Sequence, residues 1–206
     1  MHSVDKILLF DLDGTLVETP DLHYHAFNSA LMEVCGFSLS MGEHIQYYNG
    51  IPTRKKLIKL VKENRIREDQ TSLLYDLKQF YTTQLMPKYV APNRDLIFCF
   101  ENLKHLGYRM ACVSNAIRST AEGMLKLAGL YPFFELVLSN EDVLRPKPSR
   151  DIYKKTLVMM HARPRDCVAF EDNENGIRAA KAAGISVDAV QGPDHLIKLL
   201  KAKYIS

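Results

Sequence analysis

Asp11 and Asp13 stand two positions apart in Asp11-Leu12-Asp13-Gly14-Thr15, directly after the apolar run 7–10. Side chains alternate along an extended backbone, so positions 11 and 13 point the same way and set two carboxylates at the end of a buried strand. Open α/β sheets bind their ligands at the carboxyl ends of strands. Two anions this close repel, and burial adds a desolvation penalty, so the pair requires a cation or a proton between them. A hard divalent ion with oxygen ligands, most simply Mg²⁺, meets that requirement. A turn in which Asp and Gly serve backbone geometry alone is the competing reading. A calcium loop is excluded: counted from Asp11, Leu16 falls where glycine is needed and Leu22 where a bidentate glutamate belongs.

Three more polar groups follow apolar runs. Ser114-Asn115-Ala116 comes after 110–113 and is expected to open a helix, where a small hydroxyl beside free helix N-terminal amides makes a phosphate cradle. Ser and Asn are also common N-caps, so this signal has two readings. Lys147 sits in Arg145-Pro146-Lys147-Pro148, after 136–138; isolated lysines are usually solvated, but one held between prolines could neutralise a transferring phosphoryl group and an attacking carboxylate together. Glu171-Asp172-Asn173 follows 167–170 as another helix begins. Capping explains one of these acids and not two adjacent ones. A second carboxylate pair facing the first would complete a metal site.

Positioning these groups requires a sheet, and short apolar runs alternating with helical periodicity are the signature of a parallel sheet covered by helices. Strands are expected at 7–10, 110–113, 136–138, 167–170 and 185–190, and helices at 94–106, 117–127, 150–160, 175–183 and 195–201. Gly107, Gly129 and Gly184 fall just past three of the helices, where a left-handed cap favours glycine. From about Leu16 to Pro87 the alternation stops and only helical spacing remains, as in Leu22, Ala26, Phe27, Ala30, Leu31 and Val34, then Leu57, Ile58, Leu60 and Val61. The prolines of Met86-Pro-Lys-Tyr-Val-Ala-Pro92 are expected to mark a linker. The expected fold is therefore α/β, a Rossmann-like parallel-sheet core (1–15 and 88–206) with an inserted α-helical cap (16–87).

Composition narrows the function classes. The 206 residues are 47% hydrophobic and 25% charged, which suits a folded globular chain and excludes a disordered one. The net charge of +3 is too small to argue for nucleic acid. Arg54, Lys55, Lys56, Lys59 and Lys62 have the spacing of a solvated helix face. Cys35, Cys99, Cys112 and Cys167 form no metal-type pair, and Cys112 and Cys167 lie in apolar runs where a thiol packs as a small hydrophobe. No apolar run approaches the ~18 residues of a membrane span, nor does the start read as a signal peptide. A cytoplasmic protein in a reducing compartment, with no membrane or nucleic-acid partner and most simply monomeric, is expected.

In order, DLDGT at Asp11 to Thr15, SNA at Ser114 to Ala116, Lys147 in RPKPSRDIY, and EDNENGIRAAKAAG from Glu171 to Gly184 resemble the motifs of the haloacid dehalogenase superfamily of phosphotransferases. The branch most similar holds β-phosphoglucomutase and small sugar-phosphate phosphatases, with a helical cap after the first motif. The resemblance implies that Asp11 attacks phosphorus and forms an aspartyl phosphate, while Asp13 protonates the leaving oxygen and then activates water. It implies that Ser114 and the Asn115 amide hold phosphoryl oxygens and that Lys147 stabilises transition-state charge. It also implies Mg²⁺ bound by Asp11, the Asp13 backbone carbonyl and Asp172, with Glu171 ligating directly or through water. In the cap it points to His23, to Arg54 in a specificity loop Asn49-Gly50-Ile51-Pro52-Thr53-Arg54, and to Lys78, each of which is otherwise a surface polar residue. Pro146 departs from relatives that carry glycine before the lysine.

The expected activity is a Mg²⁺-dependent phosphatase acting on a small phosphate ester, such as a sugar phosphate. A phosphosugar mutase shares every core residue and differs in how the closed cap excludes water. A non-catalytic binding protein on this scaffold would have lost Asp11, Asp13 or Lys147. Dehalogenases of the superfamily usually lack the second aspartate, so Asp13 argues against that activity.

Overall fold

The computed structural model describes residues 7–48 and 51–205. The chain divides into two compact units, Met1–Glu18 with Val90–Ser206, and Thr19–Tyr89. In the first, β1 (Ile7–Phe10), β2 (Arg109–Val113), β3 (Leu136–Leu138), β4 (Cys167–Glu171) and β5 (Ser186–Ala189) form one sheet in the order β3-β2-β1-β4-β5. Every pairing is parallel. Strands buried on both faces must be apolar throughout, and β1 is fully buried along its length. Register pairs Phe10 with Phe170, and their rings stack 4.7 Å apart. One face carries Leu9, Ala111, Val113, Ile152, Tyr153 and Ala169 in a common apolar cluster. The order switches direction on either side of β1, so the ends of β1, β2 and β4 form the crevice such sheets use for ligands.

Within the same unit, α5 (Arg94–His105), α6 (Arg118–Leu127), α7 (Asp151–Met159), α8 (Glu174–Ala182) and α9 (Pro193–Lys203) alternate with the strands. The expected C-terminal glycines are left-handed, with φ of 82° at Gly107, 73° at Gly129 and 82° at Gly184. Several expected starts shift by one or two residues: β2 begins at Arg109, α6 at Arg118 after an extended Ile117, α7 at Asp151, α8 at Glu174, β5 at Ser186 and α9 at Pro193.

The helical unit contains α1 (Pro20–Cys35), the short α2 (Met41–Glu43), a π-helical turn (His44–Tyr48), α3 (Thr53–Lys62) and α4 (Thr71–Tyr89). Leu22, Ala26, Phe27, Ala30 and Leu31 are buried along α1, as the spacing predicts. Phe27, Leu31, Leu39, Tyr48, Leu57 and Leu74 share one apolar cluster. The expected linker is shorter than its prolines suggest, because Pro87 lies inside α4. Its missing N–H removes one bond from the last turn without ending the helix. Ile58, expected on the apolar face, is exposed. No described helix is long and apolar enough to cross a membrane.

Candidate active site

The ladder of the sheet continues one residue past β1, β2 and β5 and fixes the backbone of the chemical groups. The Asp11 N–H donates to the Phe170 carbonyl at 3.0 Å, the Ser114 N–H to Leu138 at 2.9 Å, and the Val190 N–H to Glu171 at 2.9 Å. Because β1 ends at Phe10, strand alternation no longer sets the directions of Asp11 and Asp13. Asp11 instead meets residues from two other segments.

Lys147 is the hub. Its ammonium, 4% exposed as a residue, donates to Asp11 Oδ1 at 2.7 Å, Glu171 Oε1 at 2.6 Å and the Val113 carbonyl at 2.6 Å. An ammonium has three N–H donors, so all are used. Burial pushes the Lys147 ammonium down, but Asp11 and Glu171 outweigh it and hold the group above its ordinary value. Burial likewise raises Asp11 well above the usual carboxylate range, with Lys147 opposing and Glu171 and Asp172 reinforcing. Glu171 and Asp172 are also raised, first by burial. Three acids raised in one place signal a deficit of positive charge that a single lysine does not fill.

The ligand-capable oxygens of Asp11, Glu171 and Asp172 lie within 4.8 Å of one another. Glu171 Oε2 is buried with no hydrogen-bond partner among the described residues. An all-carboxylate donor set with an orphaned buried oxygen fits a hard divalent cation such as Mg²⁺. Asp13 is half-buried, and its charge acts on Asp172. Two glycines allow the acids to sit this close to backbone. Gly14 has φ of 79°, and a Cβ there would lie 2.0 Å from Asp172 Oδ2. A Cβ at Gly176 would lie 1.7 Å from Glu171 Oε2. Asn173 caps α8 by accepting from the Gly176 N–H at 3.1 Å, and its Nδ2 donates to Asp172 Oδ1 at 2.7 Å. The capping role therefore belongs to Asn173, leaving both acids for other work.

Ser114 is fully buried, and its Oγ accepts from the Ala116 N–H at 3.0 Å. The free helix amides expected beside it are absent from this place. The helix starts only at Arg118, and the Arg118 N–H already donates to Glu141 Oε2 at 2.6 Å. An extended Ile117 between the turn and the helix is the physical reason. The Asn115 side chain grips the backbone of Lys147 instead of projecting alone: Oδ1 accepts from the Lys147 N–H at 2.9 Å, and Nδ2 donates to the Lys147 carbonyl at 3.1 Å.

Tyr153, from α7, escaped the sequence reading as a site residue. Its hydroxyl donates to Glu171 Oε1, and its ring lies 5.3 Å from the Lys147 ammonium. The signal was its place six residues after the lysine in the same motif. All four cysteines are free thiols; Cys99, Cys112 and Cys167 are buried, and burial pushes Cys167 up to about 11.

In the helical unit, His23 Nδ1 lies 3.5 Å from the Lys78 ammonium, and Lys78 is 7% exposed. Arg54 is exposed, with its guanidinium 4.5 Å from the centre of the Tyr75 ring. Asn49 and Gly50 of the expected specificity loop lie outside the described residues. The solvated face expected for the α3 lysines is broken by Lys56, which is 6% exposed. Its neighbour Leu57 belongs to the apolar cluster, and the two turn inward together.

A family model described as haloacid dehalogenase-like hydrolase matches residues 8–190. A phosphoglycolate phosphatase of Aquifex aeolicus is 27% identical over 179 residues, covering 87% of this chain and 81% of its own. A pyrophosphatase, PpaX, of Bacillus pumilus is 28% identical over 195 residues, covering 92% and 84%. The crystal structure of CbbY from Rhodobacter sphaeroides in complex with phosphate superposes with a TM-score of 0.81 at 25% identity, covering 91% of this chain and 86% of that one. With a parallel sheet of matching form and acids gathered at its carboxyl edge, Asp11 and Glu171 buried and Asp172 exposed, the chain belongs to the haloacid dehalogenase-like hydrolases.

Proposed function

We propose that the chain is a Mg²⁺-dependent phosphatase that hydrolyses a small phosphorylated metabolite, such as a sugar phosphate, through an aspartyl phosphate on Asp11. The observation that carries this reading is the buried Asp11 carboxylate, tied to Lys147 beside Glu171 and Asp172 at the ends of β1 and β4. The names of the phosphoglycolate phosphatase and pyrophosphatase relatives support a phosphate ester or anhydride as substrate.

An Asp11 oxygen attacks phosphorus and the ester P–O bond breaks, with Asp13 giving its proton to the leaving oxygen. Water then attacks the phosphorus of the acyl phosphate while Asp13 takes its proton, releasing phosphate and restoring Asp11. Splitting the displacement in this way replaces one difficult step with two easier ones. Lys147 opposes the burial that raises Asp11, favouring its ionised form, and shields its charge from the incoming phosphate. Ser114 and the backbone amide of Asn115 hold phosphoryl oxygens. Asp11, Asp172, Glu171 and the Asp13 carbonyl would hold Mg²⁺, which when bound supplies charge neutralisation at the phosphoryl group. Segment 16–87 acts as the substrate-reading cap, with His23, Lys78 and Arg54 as its contacts.

The test is release of phosphate from a panel of phosphate esters, scored in parallel for phosphoryl migration, with and without Mg²⁺. Wild type should release phosphate only with the metal, and Asp11→Asn should abolish release while leaving the circular dichroism spectrum intact. Undiminished turnover by Asp11→Asn would defeat the assignment.

A further inference from the structure

Tyr153 takes no part in the steps above, yet its one side-chain polar atom is spent on the acid cluster. α7 buries the residue completely, and it packs in the apolar cluster with Ile152, Leu157 and Ala169. A phenol hydroxyl carried into such a place needs a partner, and this one donates to Glu171 Oε1. The Lys147 ammonium donates to the same oxygen at 2.6 Å, with the Tyr153 ring 5.3 Å from it. Glu171 is itself fully buried.

A carboxylate oxygen has two lone pairs, so these two donors fill Oε1. Oε2 has no hydrogen-bond partner among the described residues. The group has little room to tilt, because the first turn of α8 lies against it: a Cβ at Gly176 would be 1.7 Å from Oε2 and 2.6 Å from Oε1. The other acids of the cluster are less restricted. Among the described residues Asp11 Oδ1 accepts one side-chain donor, Lys147 at 2.7 Å, and Asp172 Oδ1 accepts one, Asn173 Nδ2 at 2.7 Å. A single donor leaves each of those oxygens a lone pair. Cation choice turns on this difference. Mg²⁺ demands a compact octahedral shell, whereas Ca²⁺ takes more oxygens at longer distances and often binds both oxygens of one carboxylate.

We propose that Tyr153 is a positioning residue: with Lys147 it fills Glu171 Oε1, limits that carboxylate to one ligating oxygen, Oε2, and thereby biases the acid cluster toward Mg²⁺ and against Ca²⁺. The inference rests on the metal reading of the cluster and not on the identity of the substrate. Lys147 alone does not impose the limit, since it fills one lone pair of Oε1 and leaves the second for a cation. The phenol supplies the second donor without a further positive charge, which would repel the cation.

Removing the hydroxyl while keeping the ring is the test. Mg²⁺ and Ca²⁺ are titrated calorimetrically into the metal-free full chain, as wild type and as Tyr153→Phe, with Asp172→Asn to show that the heats come from this cluster. The ratio of the Ca²⁺ to the Mg²⁺ dissociation constant should fall by roughly tenfold in Tyr153→Phe, the scale on which the outer partners of a ligand act. A general loosening of the fold would weaken both cations alike, so an unchanged ratio overturns the inference. Infrared difference spectra of wild type with isotope-labelled glutamate carboxylates do not depend on the variant folding. On adding Ca²⁺ they should show the wide splitting of carboxylate stretches that a one-oxygen ligand gives; the narrow splitting of a two-oxygen ligand overturns the inference. Binding of neither cation by wild type, or binding undiminished in Asp172→Asn, overturns the metal reading and this inference with it. The expected shift in ratio, found in a protein that hydrolyses no phosphate ester, supports the inference and counts against the phosphatase reading alone.

Discussion

The amide of Asn115 and the backbone of Lys147 form a closed pair of hydrogen bonds, 2.9 Å from the lysine N–H to Oδ1 and 3.1 Å from Nδ2 to the lysine carbonyl. The second residue past β2 thereby sets the position of the residue that bridges Asp11 and Glu171. Prolines on both sides of Lys147 stiffen the loop, but these two bonds tie it to the sheet.

Asn115→Ala removes both bonds and leaves the peptide of Lys147 without its side-chain partner. Stability should fall by about 1–3 kcal/mol, and turnover by roughly ten- to a hundredfold, the order expected when a catalytic group is misplaced. Steady-state kinetics and denaturant melts measure the two effects. Unchanged kinetics would mean that the prolines alone hold the loop.

Lys147→Met takes the ammonium from between two buried carboxylates. The loss of stability near neutral pH should be about 3–5 kcal/mol, because uncompensated buried charges remain. Burial already raises Asp11 and Glu171 in the presence of the lysine. Without it they rise further, and a group whose folded value lies above its unfolded one adds stability that is complete below the unfolded value and lost as pH rises through the folded value. The variant should therefore recover stability toward wild type as pH falls toward 4. Denaturant melts across pH check the slope, and a deficit independent of pH would contradict it.

Gly176→Ala places a methyl group where the Glu171 carboxylate now lies, 1.7 Å from Oε2. The carboxylate must leave Lys147 and Tyr153 or the first turn of α8 must shift, at about 1–3 kcal/mol. Activity should fall at least tenfold. Gly42→Ala is the control, since its Cβ meets nothing nearer than 4.0 Å and should change stability by less than about 0.5 kcal/mol.

Lys56 should reduce stability near neutral pH. Its ordinary value of 10.5 is pushed down to about 7. Between these values the unfolded chain holds the proton and the folded chain does not, so stability declines as pH falls from 10.5 and levels off below 7. Lys56→Met removes that slope and should be more stable than wild type near neutral pH by on the order of a few kcal/mol. Thermal melts at a series of pH values measure the gap. A variant less stable than wild type would show that the Lys56 ammonium is structurally favourable.

The alternation of apolar runs and helical spacing was enough to read the α/β core, because strands buried on both faces must be apolar and helices covering them must be periodic. The glycines after the helices were legible for the same kind of reason, since only a residue without Cβ enters the left-handed region freely. The sequence by itself therefore determined which strands end in polar groups, Asp11, Ser114 and Glu171 with Asp172, and that Lys147 follows another. It also made the long helical segment between β1 and the rest of the core readable.

Only tertiary structure decided which of these groups touch. Lys147 is 136 positions from Asp11 along the chain, and no local periodicity specifies that its three donors go to Asp11, Glu171 and Val113. The same holds for Asn115, a cap by local logic whose partner is 32 positions away. Spacing also misplaced Lys56: on helical periodicity it belongs with its charged neighbours, yet the packing of α3 turns it inward beside Leu57. A side chain's direction is set by the neighbours that close around it, and those come from parts of the chain whose approach is fixed only when the fold forms.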